Sequence, residues 1–100
     1  MDIRSEQISQ DSLILFISGR LDTASSPAFE SKISKLIDGK TDVIFDLQEL
    51  SYISSSGLHV LLLIQKTMMA NNRKLVLRNV NGAVKDVFEM TGFSTIVTLV

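Results

Sequence analysis

Three consecutive serines followed by a glycine are the residues of this sequence with the greatest chemical potential. Ser54, Ser55 and Ser56 precede Gly57, and His59, the only histidine, stands four residues after Ser55. A serine hydroxyl can accept a phosphoryl group or, beside a base such as histidine, can act as a nucleophile. Serine is also a preferred residue at the start of a helix, where it caps free N–H groups. The serines therefore permit three roles, which are modification, catalysis and helix capping.

The catalytic role has little support in the sequence. A serine hydrolase needs a base, an orienting acid and an oxyanion hole around an exposed nucleophile. The Gly-x-Ser-x-Gly pattern that exposes such a nucleophile is absent. The chain also lacks cysteine, which excludes disulfides, thiolate metal ligands and cysteine nucleophiles. We predict that the protein is not an enzyme and needs no cofactor.

The overall charge and hydropathy exclude several other classes of protein. Ten basic and eleven acidic residues leave a net charge of -1, without the basic excess of nucleic-acid-binding proteins. The longest apolar run, from 60 to 64, is far shorter than the ~20 residues that span a bilayer. No basic start with a long apolar stretch marks a secretory signal. We predict a soluble cytoplasmic protein whose partners are neither nucleic acid nor membrane.

Apolar runs and turn residues predict strands that alternate with helices. The run from Leu13 to Ile17 predicts a strand buried on both faces, and the weaker segment before it predicts an edge strand paired through a turn at Gln10-Asp11. Helices are indicated by a buried stripe after Pro27, by an apolar segment from Ser56 to about Ala70, and by a segment between Asn81 and Gly92. Further strands are predicted near 43–47, 74–77 and 96–99.

These elements give a fold class. A hairpin followed by alternating strands and helices predicts an α/β domain with a mixed, mostly parallel sheet of four to five strands. Short right-handed crossovers between neighbouring strands place the helices mainly on one face. Ser55 and the loop that carries Asp22 both follow strands. Since the ends of parallel strands gather at one edge of a sheet, we expect the two to be close together, with Ser55 exposed to solvent.

The stretch from Asp46 to Leu58 resembles the signature of the STAS family, in its anti-sigma factor antagonist branch. That signature runs from a strand through Asp-Leu, then an aromatic and an aliphatic residue, to Asp-Ser-Ser-Gly-Leu at the start of a helix. Gly19-Arg20-Leu21-Asp22 and the segment from Val84 to Phe93 match two further family patterns. The resemblance covers nearly the whole chain and implies a single STAS domain over residues 1–100.

The resemblance also implies roles for individual residues. The phosphorylated serine of the family lies two positions before the glycine, which is Ser55 here. Ser54 stands where many members carry aspartate, so it is an alternative acceptor, and Ser56 is then the expected helix cap. Partner contacts are implied for Asp22, Ser54, Ser56, Gly57 and Leu58. For Asp22, capping of the next helix is an equally good interpretation.

The function implied by the resemblance is a partner switch. The unphosphorylated protein binds an anti-sigma factor that is a serine kinase, and thereby frees a sigma factor. The kinase uses its own ATP to phosphorylate the antagonist, and a serine phosphatase reverses the step. The alternative is a STAS accessory subunit of an ABC-type lipid transporter. Members of that group often carry Thr-Gly-Gly at the serines, which favours the switch for this sequence.

Overall fold

A computed structural model describes all residues from 1 to 100 and alternates strands with helices. The helices are α1 (Ser26–Leu36), α2 (Ser55–Ala70) and α3 (Gly82–Thr91), followed by a 3-10 turn at Phe93–Thr95. The strands are β1 (Asp2–Ser9), β2 (Ser12–Leu21), β3 (Asp42–Asp46), β4 (Leu50–Ile53), β5 (Leu75–Arg78) and β6 (Thr98–Leu99). None of the helices combines the length and the apolar character that crossing a bilayer requires.

The strands form one mixed sheet in the order β1-β2-β3-β5-β6, with β4 paired to β2. β1 is antiparallel to β2 across the Gln10-Asp11 turn, and the other pairs are parallel. The crossovers from β2 to β3, β5 and β6 advance in one direction across the sheet. Right-handed crossovers of this kind leave their helices on the same face. The predicted fold class is thus confirmed, although the sheet has six strands rather than four or five.

The additional strand, β4, lies where the sequence suggested a polar loop. β2 is long enough to have two parallel partners, because its residues 12–16 pair with β3 and its residues 19–21 pair with β4. The register shifts between Gly19 and Arg20, where Gly19 has a positive φ of 100°. β4 alternates poorly, since only its two end residues, Leu50 and Ile53, are buried. Its pairing with β2 therefore decides its conformation.

The core lies between the sheet and the helices. Alternate strand residues such as Leu15, Phe45 and Leu77 are fully buried on the helical face. Phe29 of α1 meets Phe45 edge to face, with ring centroids 6.4 Å apart. Burial of each large apolar side chain contributes about 1.5–3 kcal/mol. Of the methionines, Met68 is fully buried in this core, whereas Met69 and Met90 are exposed.

The predicted start and end of α3 are confirmed. Asn81 caps α3 by accepting a hydrogen bond from the N–H of Val84 at 3.2 Å, and Gly92 ends this helix with a φ of 78°. The last strand begins at Thr98 rather than at residue 96, because the N–H groups of Ile96 and Val97 still donate to the carbonyl of Phe93 in the preceding turn.

Candidate functional site

The candidate site forms where β2 and β4 end side by side. The N–H of Ser54 donates to the carbonyl of Leu21 at 2.9 Å, which fixes the two strand ends together. The loop that follows β2 therefore lies against the first turn of α2. Thr23 in this loop has its hydroxyl oxygen 3.3 Å from that of Ser56. We name Thr23, Ser54, Ser55 and Ser56 the serine cluster.

The three serines have different hydrogen-bonding states. Ser54 is the N-cap of α2, because its backbone is extended and its hydroxyl accepts from the N–H of Gly57 at 3.2 Å. Ser56 pairs with Thr23, whereas the exposed hydroxyl of Ser55 has no partner within the chain. The expectation that Ser56 caps the helix is wrong, because only Ser54 precedes the first turn and aims its side chain at the free N–H groups.

The capping geometry explains why serine is acceptable at position 54. Aspartate and serine are both preferred N-caps, since each offers a side-chain oxygen to an N–H of the first turn. The signature that this stretch resembles has aspartate at this position, so serine keeps the cap but places no fixed negative charge beside Ser55. The departure from the signature changes local charge and leaves the helix start intact.

Gly57 is required by packing within the domain. It is buried, and a Cβ placed on it would lie 2.6 Å from Cγ of Leu21 and 2.8 Å from the carbonyl oxygen of the same residue. The third close neighbour is Cγ1 of Ile53, at 3.1 Å. A glycine here therefore lets α2 start directly against the ends of β2 and β4.

Asp22 stabilises the turn before α1, and the interpretation that it caps the helix itself is wrong, because Ser25 is the N-cap. The carboxylate of Asp22 accepts from the N–H of Ser25 at 3.0 Å and from the hydroxyl of Ser25 at 3.1 Å. These two bonds, led by the one from the Ser25 N–H, hold the pKa of Asp22 below its ordinary value. One third of the side chain stays exposed, so it is also accessible from outside. Its role in partner binding stays a prediction.

Asp46, the aspartate of the Asp-Leu pair, is only 4% exposed. It accepts hydrogen bonds from the Gln48 N–H at 3.0 Å, from Nε of Arg78 at 2.9 Å and from Nδ2 of Asn79 at 2.9 Å. Burial would raise the pKa of this carboxyl, but the three hydrogen bonds outweigh burial and hold it below its ordinary value. We name Asp46, Arg78 and Asn79 the Asp46 cluster; it fixes the ends of β3 and β5.

Ser55 lies between two grooves of different character. One, of about 540 Å³, lies between α1 and α2 and is lined mainly by hydroxyl-bearing and charged residues. The other, of about 220 Å³, is lined by apolar side chains that include Leu58, Leu62 and Ile96. Leu58 is half-buried and Ile96 is 48% exposed. Sequence patterns did not indicate Ile96, because its position follows from the turn after α3.

His59 borders the same two grooves as Ser55. No hydrogen bond joins the two side chains, and no acid is hydrogen-bonded to His59 in the structure. The arrangement of a nucleophile, a base and an orienting acid that a serine hydrolase needs is therefore not assembled around Ser55.

Comparison with known proteins places the chain in a family. The model of the STAS domain matches residues 3–100. This chain belongs to the STAS domain family. It is 36% identical over 85 residues to BtrV of Bordetella bronchiseptica, a protein assigned as an anti-sigma factor antagonist, with 84% of this chain and 73% of BtrV covered. It is 28% identical over 94 residues to the anti-sigma-B factor antagonist of Staphylococcus aureus, with 92% of this chain and 87% of that protein covered.

Solved STAS structures show the same fold. The unphosphorylated anti-sigma factor antagonist SpoIIAA superposes with a TM-score of 0.81 at 22% identity, covering 99% of this chain and 88% of that one. The phosphorylated form of SpoIIAA from Bacillus has a TM-score of 0.74 at 22% identity, covering 99% of this chain and 91% of that one. At this level of identity the likeness establishes the architecture of the domain.

Proposed function

We propose that this STAS protein is a cytoplasmic anti-sigma factor antagonist that is switched by phosphorylation of Ser55. Its unmodified form binds an anti-sigma factor serine kinase and so releases a sigma factor, and a serine phosphatase restores this form. ATP belongs to the kinase, so the antagonist itself needs no cofactor. The single observation that carries the proposal is the free, exposed hydroxyl of Ser55 at the first residue of α2.

The hydrogen bonds of the serine cluster favour Ser55 over its neighbours as the acceptor. The hydroxyl of Ser54 is engaged as the helix cap, so its modification would remove that cap. The hydroxyl of Ser56 is half-buried and paired with Thr23. Only Ser55 presents a hydroxyl that a kinase can reach without first breaking a hydrogen bond of the domain. Ser55 is also the residue at the position of the acceptor in the family signature, two residues before Gly57.

The surroundings of Ser55 explain how a phosphate would control binding. The apolar groove beside it, with Leu58, Leu62 and Ile96, is a surface that a protein partner can cover. A phosphoserine adds about -1.5 to -2 charges, which are costly to desolvate inside an apolar interface. A loss of about 3 kcal/mol in binding free energy lowers affinity more than a hundredfold. The rest of the domain need not change shape for this switch to operate.

The names of the relatives support the class of partner. BtrV and the Staphylococcus aureus protein are both described as antagonists of anti-sigma factors. SpoIIAA, which shares the fold, has been solved with and without phosphate. An anti-sigma factor is accordingly the partner class we assign to this chain. Asp22, Ser54, Ser56, Gly57 and Leu58 surround the acceptor, and Asp22 and Leu58 offer the accessible side chains for contact.

The proposal is tested by binding of charge variants to the cognate anti-sigma factor. Ser55→Asp should weaken binding, and Ser55→Ala should bind as the wild type does, because a lost hydroxyl removes little surface. Asp86→Ser provides a control of the same size of charge change on the outer face of α3 and should leave affinity unchanged. Equal affinity of Ser55→Asp, Ser55→Ala and the wild type would contradict the proposal. Co-purification with a lipid-transport permease instead would favour the transporter accessory role.

A further inference from the structure

The polar groove between α1 and α2 has the groups that a phosphate on Ser55 would need as partners. It is lined by Ser55 itself, by the hydroxyls of Thr23 and Ser56, and by the imidazole of His59. We propose that this groove is an intramolecular binding site for the Ser55 phosphate, in which protonated His59 is the ionic partner. The inference rests on the proposed function, because it concerns the phosphorylated state of the same serine.

The helical spacing brings His59 towards Ser55. Residues four apart on a helix lie on the same face, with Cβ atoms about 5–6 Å apart. Side chains of a helix also lean towards its N-terminus, so the imidazole of His59 points back towards the first turn. Both residues are exposed, which leaves the imidazole free to turn onto a phosphate. The two side chains border both grooves that flank Ser55, which agrees with this direction.

The charges around Ser55 make His59 the ionic partner. Neither groove is lined by lysine or arginine, so His59 is the one side chain there that can become positive. Glu30, from α1, is the only acid that lines the polar groove. The apolar groove, towards α3 and the turn after it, has no charged side chain besides His59. In the adjoining loop, Asp22 is already occupied by Ser25 and Arg20.

The hydroxyl pair of the groove can supply a further hydrogen bond. Thr23 and Ser56 are 3.3 Å apart, so one hydrogen is used between them and the other is free to donate. Ser26, which also lines the groove, donates to the carbonyl of Asp22 and is not available. A phosphate on Ser55 would therefore meet one free hydroxyl donor and one imidazolium in the polar groove, which also contains the carboxylate of Glu30. In the other groove the only polar side chains besides Ser55 are those of His59 and Thr91.

The pair makes the phosphorylated state sensitive to pH. The imidazolium stabilises the phosphate dianion and so lowers the second pKa of the phosphate. The interaction needs the dianion, which forms above about pH 6, and the imidazolium, which is lost at alkaline pH. The phosphate is thus held in the groove most firmly near pH 6–7 and is released from His59 at more alkaline pH.

The test uses protein in which phosphoserine is incorporated at position 55 during synthesis, so that no kinase is involved. NMR titration follows the imidazole of His59, which is the only histidine. We expect the imidazole resonances of His59 to report a larger protonated fraction at pH 7 in the phosphorylated protein than in the unmodified protein. The 31P titration should give a lower second pKa in this protein than in its His59→Gln variant. Phosphoserine at Ser9, the last residue of β1 and paired with the first residue of β2, is the matched control and should leave His59 unchanged.

An unchanged protonated fraction of His59, or a change no larger than the one caused by phosphoserine at Ser9, would overturn the inference. That result would leave the proposed function standing, because phosphorylation by the kinase is measured separately. If instead the kinase fails to modify Ser55 while the NMR shift is present, the proposed function fails and the ion pair remains as a chemical property of the groove.

Discussion

The Asp46 cluster and the serine cluster are both polar and both follow parallel strands, yet they differ in how completely their groups are paired. Asp46 is buried and accepts three hydrogen bonds, so its acceptor capacity is used within the domain. Ser55 is exposed and its hydroxyl has no partner. Residues that sustain the fold are satisfied inside it, whereas a residue that acts on a partner keeps its bonding capacity free. Substitutions should therefore cost stability at Asp46 and binding at Ser55.

The largest loss of stability is expected for Gly57→Ala, which disrupts the packing of α2 against β2 that positions the serine cluster. The added Cβ would meet the carbonyl oxygen of Leu21 at 2.8 Å, so α2 must move away from β2. Overpacking of this kind should cost about 3 kcal/mol in the free energy of unfolding. Gly82→Ala is the control, because a Cβ there has nothing within 4 Å. Urea denaturation of both variants measures the difference, and equal stability would show that α2 is not fixed by this contact.

Asp46→Asn should cost about 2 kcal/mol, since it removes the charge that accepts from Arg78 and Asn79 in a buried position. Asp86→Asn, at an exposed site, should change stability by less than about 0.5 kcal/mol. Because the folded-state pKa of Asp46 is lowered, its contribution is present above the unfolded pKa near 4 and is lost as pH falls below it. Thermal denaturation should show that Asp46→Asn loses less stability than the wild type as pH falls below about 4. Parallel pH profiles of variant and wild type would refute this role.

Ser54→Ala should cost about 1 kcal/mol through the loss of the N-cap of α2. Ser54→Asp should recover most of that stability, because aspartate also accepts from the N–H of the first turn. Thermal denaturation of the two variants at pH 7 compares them directly. If Ser54→Asp is as unstable as Ser54→Ala, the cap does not explain why serine can replace aspartate here.

Ser55→Ala should change the free energy of unfolding by less than about 0.5 kcal/mol, since the hydroxyl makes no bond within the domain. This smallest effect on stability is expected at the residue with the largest effect on regulation. A loss above 1 kcal/mol in the same denaturation assay would mean that Ser55 is a structural residue like Ser54.

The sequence predicted the fold well, because buried strands and amphipathic helices follow from local periodicity. Local patterns failed at β4, where Leu50 and Ile53 point inward but two exposed residues separate them. Only the length of β2, which extends past its contact with β3, creates a partner for this strand. Which of the three serines caps α2 also depended on β4, since the end of this strand at Ile53 makes Ser54 the last extended residue. The buried carboxylate of Asp46 is held by donors on Arg78 and Asn79, which are 32 and 33 residues away in the sequence. No local pattern could reveal these partners.

We infer that Ser55 is the phosphate acceptor because, of the three serine hydroxyls, only its own makes no hydrogen bond within the domain. The most direct measurement is site mapping by mass spectrometry after incubation with the cognate anti-sigma factor kinase and ATP. We predict a single phosphate on Ser55, abolished by Ser55→Ala and retained by Ser54→Ala and Ser56→Ala. Phosphate on Ser54 or Ser56 in the wild type, or no phosphate with an active cognate kinase, would contradict the claim.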